Sequence, residues 1–407
     1  MSQNVKYVTK EEDGNMNKVL QLGIMSCLST ALPLGILLLS TLTACSSTVI
    51  RDEPVSPVLS SQINTSTAMG ANYRPDLGSY QVKVADNLTL TTKSNRQMPL
   101  KIYYPEGKGV FPVIIFSHGA AASKDSFEDV SRFWSSYGYI VVHPTHKDSL
   151  SLSNGNTRLW DIVRTMQSDS NGWVERAKDI SLIIDSFDEL VRQVPELQGK
   201  IDPQRIGVGG HSYGAYTAQL IGGARIDIPG GAKQQSFADP RVKSVLLISP
   251  QGRGQQGLTN NSWKTMNKPM MVMTGSRDQG AQGQGPDWKR EPFDFAPLGD
   301  KYLVFIENAD HFSFSNTQNR RFGGGRRFRD RFNNDGENRR FGGGRLRDRF
   351  NNDSEETVDR QEIVNYVEMA SLAFWDAYVK NESAGKTYLQ SDSLEQYSQG
   401  NVTLSIK

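Results

Sequence analysis

Arg205-Ile206-Gly207-Val208-Gly209-Gly210-His211-Ser212-Tyr213-Gly214-Ala215 is the stretch whose reading decides the fold. The β-branched run Ile206–Val208 predicts a strand, and the residues from Tyr213 to about Gly222 predict a helix, with Gly-x-Ser-x-Gly between them. A serine on so sharp a strand-to-helix turn needs neighbours two before and two after it that carry almost no side chain. The turn lifts the Ser212 hydroxyl to the end of a sheet and turns the N–H of Tyr213 toward the same point. In a chain with 37 glycines the motif alone would say little. The strand–turn–helix context gives it weight.

Outward from this turn, short apolar runs recur at Lys101–Tyr104, Val113–Phe116, Tyr139–Val142, Val242–Ile248, Met270–Met273 and Tyr302–Ile306. Several are apolar throughout, the pattern of parallel strands covered on both faces. Between them lie helical stripes. One is expected over Gly172–Val194, where Trp173, Ala177, Ile180, Ile184, Phe187, Val191 and Val194 recur at spacings of four and three. Ile363, Val367, Ala370, Phe374 and Ala377 repeat the pattern near the C-terminus. Alternating strands and helices predict an α/β fold, a mostly parallel doubly wound sheet with helices on both faces.

A serine nucleophile on such a turn takes its partners in the chain order serine, acid, histidine. After Ser212 only His311 remains, in Asn308-Ala309-Asp310-His311-Phe312 beyond the run Tyr302–Ile306. Asp278, in Thr274-Gly275-Ser276-Arg277-Asp278, is the favoured acid, to fix the His311 tautomer and stabilise the imidazolium. Asp287, Asp294 and Asp300 are alternatives, whereas Asp310 is too near His311 in sequence to orient it. The second oxyanion donor is expected after Phe116-Ser117-His118-Gly119-Ala120-Ala121, with the Ala120 N–H first and Gly119 next, beside the Tyr213 N–H. His118 reads as a loop-shaping residue. His143 and His146 follow another strand at the same sheet end, as pocket-lining or as hydrogen-bonded loop histidines.

With these motifs in place the chain resembles the platelet-activating-factor acetylhydrolase and predicted dienelactone hydrolase branch of the α/β-hydrolases over about residues 80–315. The resemblance rests on Leu100–Pro105, Phe116–Gly119, Gly138–His146, Glu175–Ile180, Gly210–Ala215 and Ala309–Phe312, in that order. It implies the α/β-hydrolase fold and no cofactor, with Ser212 as nucleophile, Asp278 as acid, His311 as base and the Ala120 and Tyr213 amides as oxyanion donors. It also implies hydrolysis of carboxylic esters, short acyl groups on lipids among them. Dienelactone hydrolases use a cysteine where this chain has Ser212, so that name carries only fold-level analogy.

The chain's 407 residues suit one large α/β domain, and a net charge of +2 gives no reason to expect nucleic acid. Both cysteines, Cys27 and Cys45, precede the globular part, which excludes a disulfide or a Cys-based zinc site within it, and the five histidines show no metal-ligand spacing. Residues 1–44 resemble a secretory signal that ends in Leu42-Thr43-Ala44-Cys45, similar to a bacterial lipobox, with Cys45 as the acylated residue. An uncleaved membrane-spanning helix is the competing reading. The lipobox implies an exported protein held on the cell envelope.

Residues 45–79 read as a flexible tether, 80–381 as the hydrolase domain and 382–407 as a C-terminal tail. Within the domain, 316–356 is an insertion carrying a tandem repeat: Arg320-Arg321-Phe322-Gly323-Gly324-Gly325-Arg326 recurs at Arg339–Arg345, and Arg329–Asp335 recurs at Arg347–Asp353. Residues 320–353 hold eleven arginines against five acidic residues, a local charge of +6. Such a loop could bind an anionic surface, or could be a tolerated duplication. A surface-binding protein on an inert hydrolase scaffold, and a polyester or peptide hydrolase, are therefore the alternatives to an esterase.

Overall fold

The computed structural model describes residues 73–153, 157–316 and 359–407. The expected signal with Cys45, the expected tether up to residue 72 and the arginine-rich repeat lie outside the described residues. Along the chain run β1 (Val82–Thr91), β2 (Gln97–Pro105), β3 (Phe111–Ser117), α1 (Glu128–Ser136), β4 (Ile140–Pro144), α2 (Leu159–Ser168), α3 (Ser170–Asp185) and α4 (Phe187–Gln193). Then come β5 (Ile201–His211), α5 (Tyr213–Gly222), the two-residue strands β6 (Arg225–Ile226) and β7 (Gln235–Ser236), β8 (Val242–Ile248), β9 (Met270–Arg277), α6 (Pro286–Phe295) and β10 (Lys301–Asp310). The chain closes with α7 (Arg360–Trp375), α8 (Ser383–Leu389), α9 (Ser393–Tyr397) and β11 (Val402–Ile406).

The large sheet has the order β1-β2-β4-β3-β5-β8-β9-β10-β11. The six strands from β4 to β10 are parallel to their neighbours, while β1, β2 and β11 pair antiparallel at the two edges. This is the α/β-hydrolase fold that the sequence predicts. Its apolar runs are explained by burial on both faces. Every residue of β3 is buried; Val113 and Ile115 pack into one hydrophobic cluster with α3 and α5, and Ile114 and Phe116 into the other with α1 and α7. Each such large apolar side chain contributes about 1.5–3 kcal/mol when fully buried.

Two expectations change. The helix expected over Gly172–Val194 is two helices, α3 and α4, because the chain turns at Ser186, whose N–H reaches back to Ile183 O at 3.1 Å. The tight turn keeps Ile184 and Phe187 on one buried face, so the apolar spacing runs across it unbroken. The segment 382–407, expected as a tail, belongs to the domain: β11 pairs with β10 from Tyr302↔Ile406 to Ile306↔Val402.

Parallel strands send their following loops to one end of the sheet. Ser117 at the end of β3 with His118 and Gly119 after it, His146–Asp148 after β4, Ser212 after β5, Ser249 after β8, Asp278 after β9 and His311 after β10 therefore gather at the carboxyl edge, the usual place for a site in an open α/β sheet.

Candidate active site

The turn at Ser212 shows why glycines flank it. A Cβ on Gly214 would lie 1.8 Å from the Ser117 carbonyl oxygen, and one on Gly210 would lie 2.3 Å from the Gly214 backbone. Ser212 has φ 54° and ψ −119°, a conformation that costs about 1–3 kcal/mol and persists only where its surroundings hold it. Here the Ser212 N–H donates to Ile248 O at 2.9 Å, and its carbonyl accepts from Tyr216 N at 3.1 Å as α5 begins.

The structure brings the three predicted side chains together. The Ser212 hydroxyl lies 3.0 Å from His311 Nε2, and His311 Nδ1 lies 3.1 Å from Asp278 Oδ1. Asp278 is fully buried, whereas the His311 side chain keeps 21% of its surface exposed. The alternative acids are occupied elsewhere or lie in solvent. Asp294 pairs with Arg290, Asp300 accepts from the Tyr378 hydroxyl, Asp310 accepts from Phe312 N and Ser313 Oγ in its own turn, and Asp287 is exposed.

Sequence reasoning missed three residues around this pair. Ser249 stands between the acid and the base: its Oγ is 2.9 Å from Asp278 Oδ1 and 2.8 Å from His311 Nδ1. Lys289 of α6, 1% exposed, donates to the Ser249 Oγ at 3.0 Å and stands 3.7 Å from Asp278 Oδ1. Thr274 donates to the other carboxylate oxygen at 2.9 Å. Burial alone would raise the Asp278 carboxyl, but the Lys289 ammonium and the hydrogen bonds from His311 and Ser249 hold it down at about 2. Desolvation and the same ammonium lower the His311 pKa, against the raising pull of Asp278. Lys289 itself is lowered by burial, with Asp278 opposing. No spacing rule announces a buried lysine one helix beyond the acid.

His211, beside the nucleophile, is also structural in a way its motif position hides. Its Nε2 lies 2.9 Å from the His311 carbonyl oxygen, and its ring packs on the His311 ring at 4.9 Å between centroids. Burial, then His311, pushes its pKa well below the usual value. A neutral ring that donates to that carbonyl anchors the His311 loop.

Gly119 lies against the nucleophile, since a Cβ there would sit 3.6 Å from Ser212 Cβ and 3.3 Å from His211 Nδ1. The adjoining Ala120 is half-buried. Tyr213 opens α5, so its N–H belongs to the first turn, where no intrahelical acceptor exists. His118 is fully buried and shapes this loop, accepting from His146 N at 3.0 Å and approaching Gly119 O at 2.6 Å through Nδ1. The pocket-lining reading of His143 and His146 is corrected: both are fully buried. His143 bonds Ser131 Oγ at 2.7 Å, and burial, with Lys101 adding to it, takes its pKa down to about 3. His146 lies between Ser117 Oγ at 2.9 Å and Asp179 Oδ2 at 2.8 Å.

A family described as Chlorophyllase matches residues 74–224. Chlorophyllase-1, chloroplastic, of Citrus sinensis is 28% identical over 178 residues, which are 41% of this chain and 48% of that protein. Platelet-activating factor acetylhydrolase of Bos taurus is 28% identical over 137 residues, 26% of this chain and 31% of that protein. The matches thus span half or less of these relatives' length.

Proposed function

We propose, for a chain with the α/β-hydrolase fold, that it hydrolyses carboxylic esters through an acyl-enzyme formed on Ser212. His311 Nε2 takes the hydroxyl proton as Ser212 Oγ attacks the ester carbonyl. The oxyanion is met by the Ala120 and Tyr213 amides, and His311 then protonates the departing alcohol. Water, deprotonated by His311, attacks the acyl-serine, and collapse of the second tetrahedral intermediate releases the acid and restores Ser212. Asp278 keeps the Nδ1 proton facing inward, so that Nε2 is the free base.

One observation carries this reading: a half-buried serine on a strained turn, 3.0 Å from an imidazole whose other nitrogen is 3.1 Å from a buried carboxylate. One relative's name is that of an acetylhydrolase, which favours short acyl groups, those of lipids included, as substrates. Hydrolysis of p-nitrophenyl acetate by the purified protein, abolished in Ser212→Ala, is the expected result. Unchanged turnover in that variant removes the assignment.

The Leu42-Thr43-Ala44-Cys45 ending supports a second part of the proposal, export and lipid anchoring through Cys45. Labelled palmitate should enter the expressed protein and be lost in Cys45→Ala. The +6 segment 320–353 favours contact with an anionic surface as a role alongside catalysis. Retention on anionic liposomes that survives deletion of that segment would count against it.

A further inference from the structure

Arg176 of α3 is 2% exposed and reaches the loop that follows β3. Its Nη1 donates to the His118 carbonyl at 2.5 Å, and its Nη2 to the Gly119 carbonyl at 3.3 Å. Nε and Nη2 together hold Asp148, at 2.9 and 2.7 Å. Asp148 in turn accepts from the Ala121 N–H at 3.2 Å. The guanidinium also lies over the Tyr213 ring, 4.4 Å from its centre.

Planarity turns these contacts into an orientation. In a trans peptide the C=O and the N–H point opposite ways. With the His118 and Gly119 carbonyls drawn to Arg176, the N–H groups of Gly119 and Ala120 must face away from it. The other face of this loop is the Ser212 side, as the 3.6 Å approach of the Gly119 Cβ position to Ser212 Cβ shows. Against the same guanidinium packs the ring of Tyr213, whose N–H is the other proposed donor. One buried cation therefore touches both elements that carry the oxyanion amides.

We infer that Arg176, braced by Asp148, is a positioning residue that sets the oxyanion site: it fixes the peptide units 118–119 and 119–120 with their N–H groups toward the reacting carbonyl and steadies Tyr213. The inference rests on the reading of Ser212 as nucleophile. Only a planar fork can hold two carbonyls and a carboxylate at once, so a lysine keeps the charge and loses the geometry.

The test compares Arg176→Lys and Asp148→Asn with the full-length protein and with Ser212→Ala. For p-nitrophenyl acetate, Arg176→Lys should lower kcat about a hundred- to a thousandfold, as loss of an oxyanion donor does, with KM changed by less than about threefold. Asp148→Asn, which leaves the guanidinium in place, should show a smaller loss of the same kind, about tenfold. Inhibition by a trifluoromethyl ketone, which mimics the tetrahedral state, should weaken in step with kcat. The acid limb of the pH profile should stay where it is, because neither change touches His311. A folded Arg176→Lys with kcat within about threefold of the parent, or a loss confined to KM, overturns the inference while leaving the serine assignment intact. Full activity in Ser212→Ala overturns the assignment instead. In that case a crystal structure of Arg176→Lys decides the inference, with a turned 119–120 peptide expected and an unmoved one contradicting it.

Discussion

Among the described residues two Ser–His–Asp constellations lie at the same sheet edge, and by distance they are alike. In the first, Ser212, His311 and Asp278 are joined at 3.0 and 3.1 Å; in the second, Ser117, His146 and Asp179 are joined at 2.9 and 2.8 Å. Each acid has a cation nearby, the buried Lys289 at 3.7 Å from Asp278 and the half-buried Arg96 at 2.5 Å from Asp179. What differs is the setting. His311 is partly exposed, whereas the His146 side chain is 0% exposed and Ser117 is fully buried. Ser212 sits at positive φ at the head of a helix, while Ser117 ends a strand in ordinary extended geometry. Hydrogen-bonded order among three residue types is thus not enough for chemistry. A carbonyl must be able to arrive, and amides must be there to meet it. The second constellation instead ties the end of β3, the loop after β4 and α3 together.

The largest effect that could break this contrast is on the nucleophiles. Ser212→Ala should reduce ester turnover by about 10⁶-fold, as loss of the nucleophile does in a serine hydrolase. Ser117→Ala should lower it by no more than about fivefold and reduce unfolding free energy by about 1–2 kcal/mol, the cost of leaving a buried imidazole nitrogen without its donor. Steady-state kinetics and urea titration of the two variants check both. A comparable collapse of turnover in a well-folded Ser117→Ala would erase the distinction.

Next come the acids. Asp278→Asn should lower kcat on the order of 10⁴-fold by favouring the wrong His311 tautomer. Asp179→Asn should act mainly on stability, by about 1–3 kcal/mol, because it removes the charge that pairs with half-buried Arg96 and accepts from the buried His146. The measurement is again kcat against the unfolding midpoint, and the two variants should lie on opposite axes.

How much of this was legible follows from what each pattern encodes. The elbow glycines, the apolar strands and the one histidine after Ser212 all leave local marks, so β2 to β5, β8 to β10 and the Ser212, Asp278 and His311 set could be read directly. β1 and β11 could not. β1 has only Leu88 and Leu90 buried and carries an irregularity between Ala85 and Leu88, and β11 is a short edge strand with only Val402 buried, so neither shows an apolar run. Arg176, Ser249 and Lys289 were hidden for a different reason. Their meaning lies in what lies across the sheet end from them, and a charged residue within a helix reads as a solvated face until its burial is known.

A smaller effect separates the two histidines through pH. The proposed hydrolysis needs neutral His311, so activity should fall as pH drops through its pKa, which desolvation and Lys289 lower from 6.5. Lys289→Met removes a neighbouring positive charge. Protonation of His311 then becomes easier, and the acid limb of kcat/KM should move to higher pH, by about one unit. A limb that stays in place or moves down means that the ammonium does not act on the base.

The sealed histidine should instead report on folding, and this is the finest test of the comparison. Burial, with Arg176 adding to it, lowers His146 below 6.5 despite Asp179. Above pH 6.5 the imidazole is neutral in both the folded and unfolded chain, and it contributes no pH dependence. Below pH 6.5 the unfolded chain takes up a proton that the folded protein refuses, so stability falls as pH drops toward the folded pKa. Each such histidine removes up to about 1.4 kcal/mol per pH unit. His118, His143, His211 and His311 are lowered in the same direction, so the urea midpoint should decline between pH 6.5 and 5. His146→Gln should flatten that decline by one proton's worth while leaving the acid limb of kcat/KM unmoved, because that limb belongs to His311. An acid limb that shifted with His146→Gln would mean that the sealed constellation and the open one titrate as a single unit.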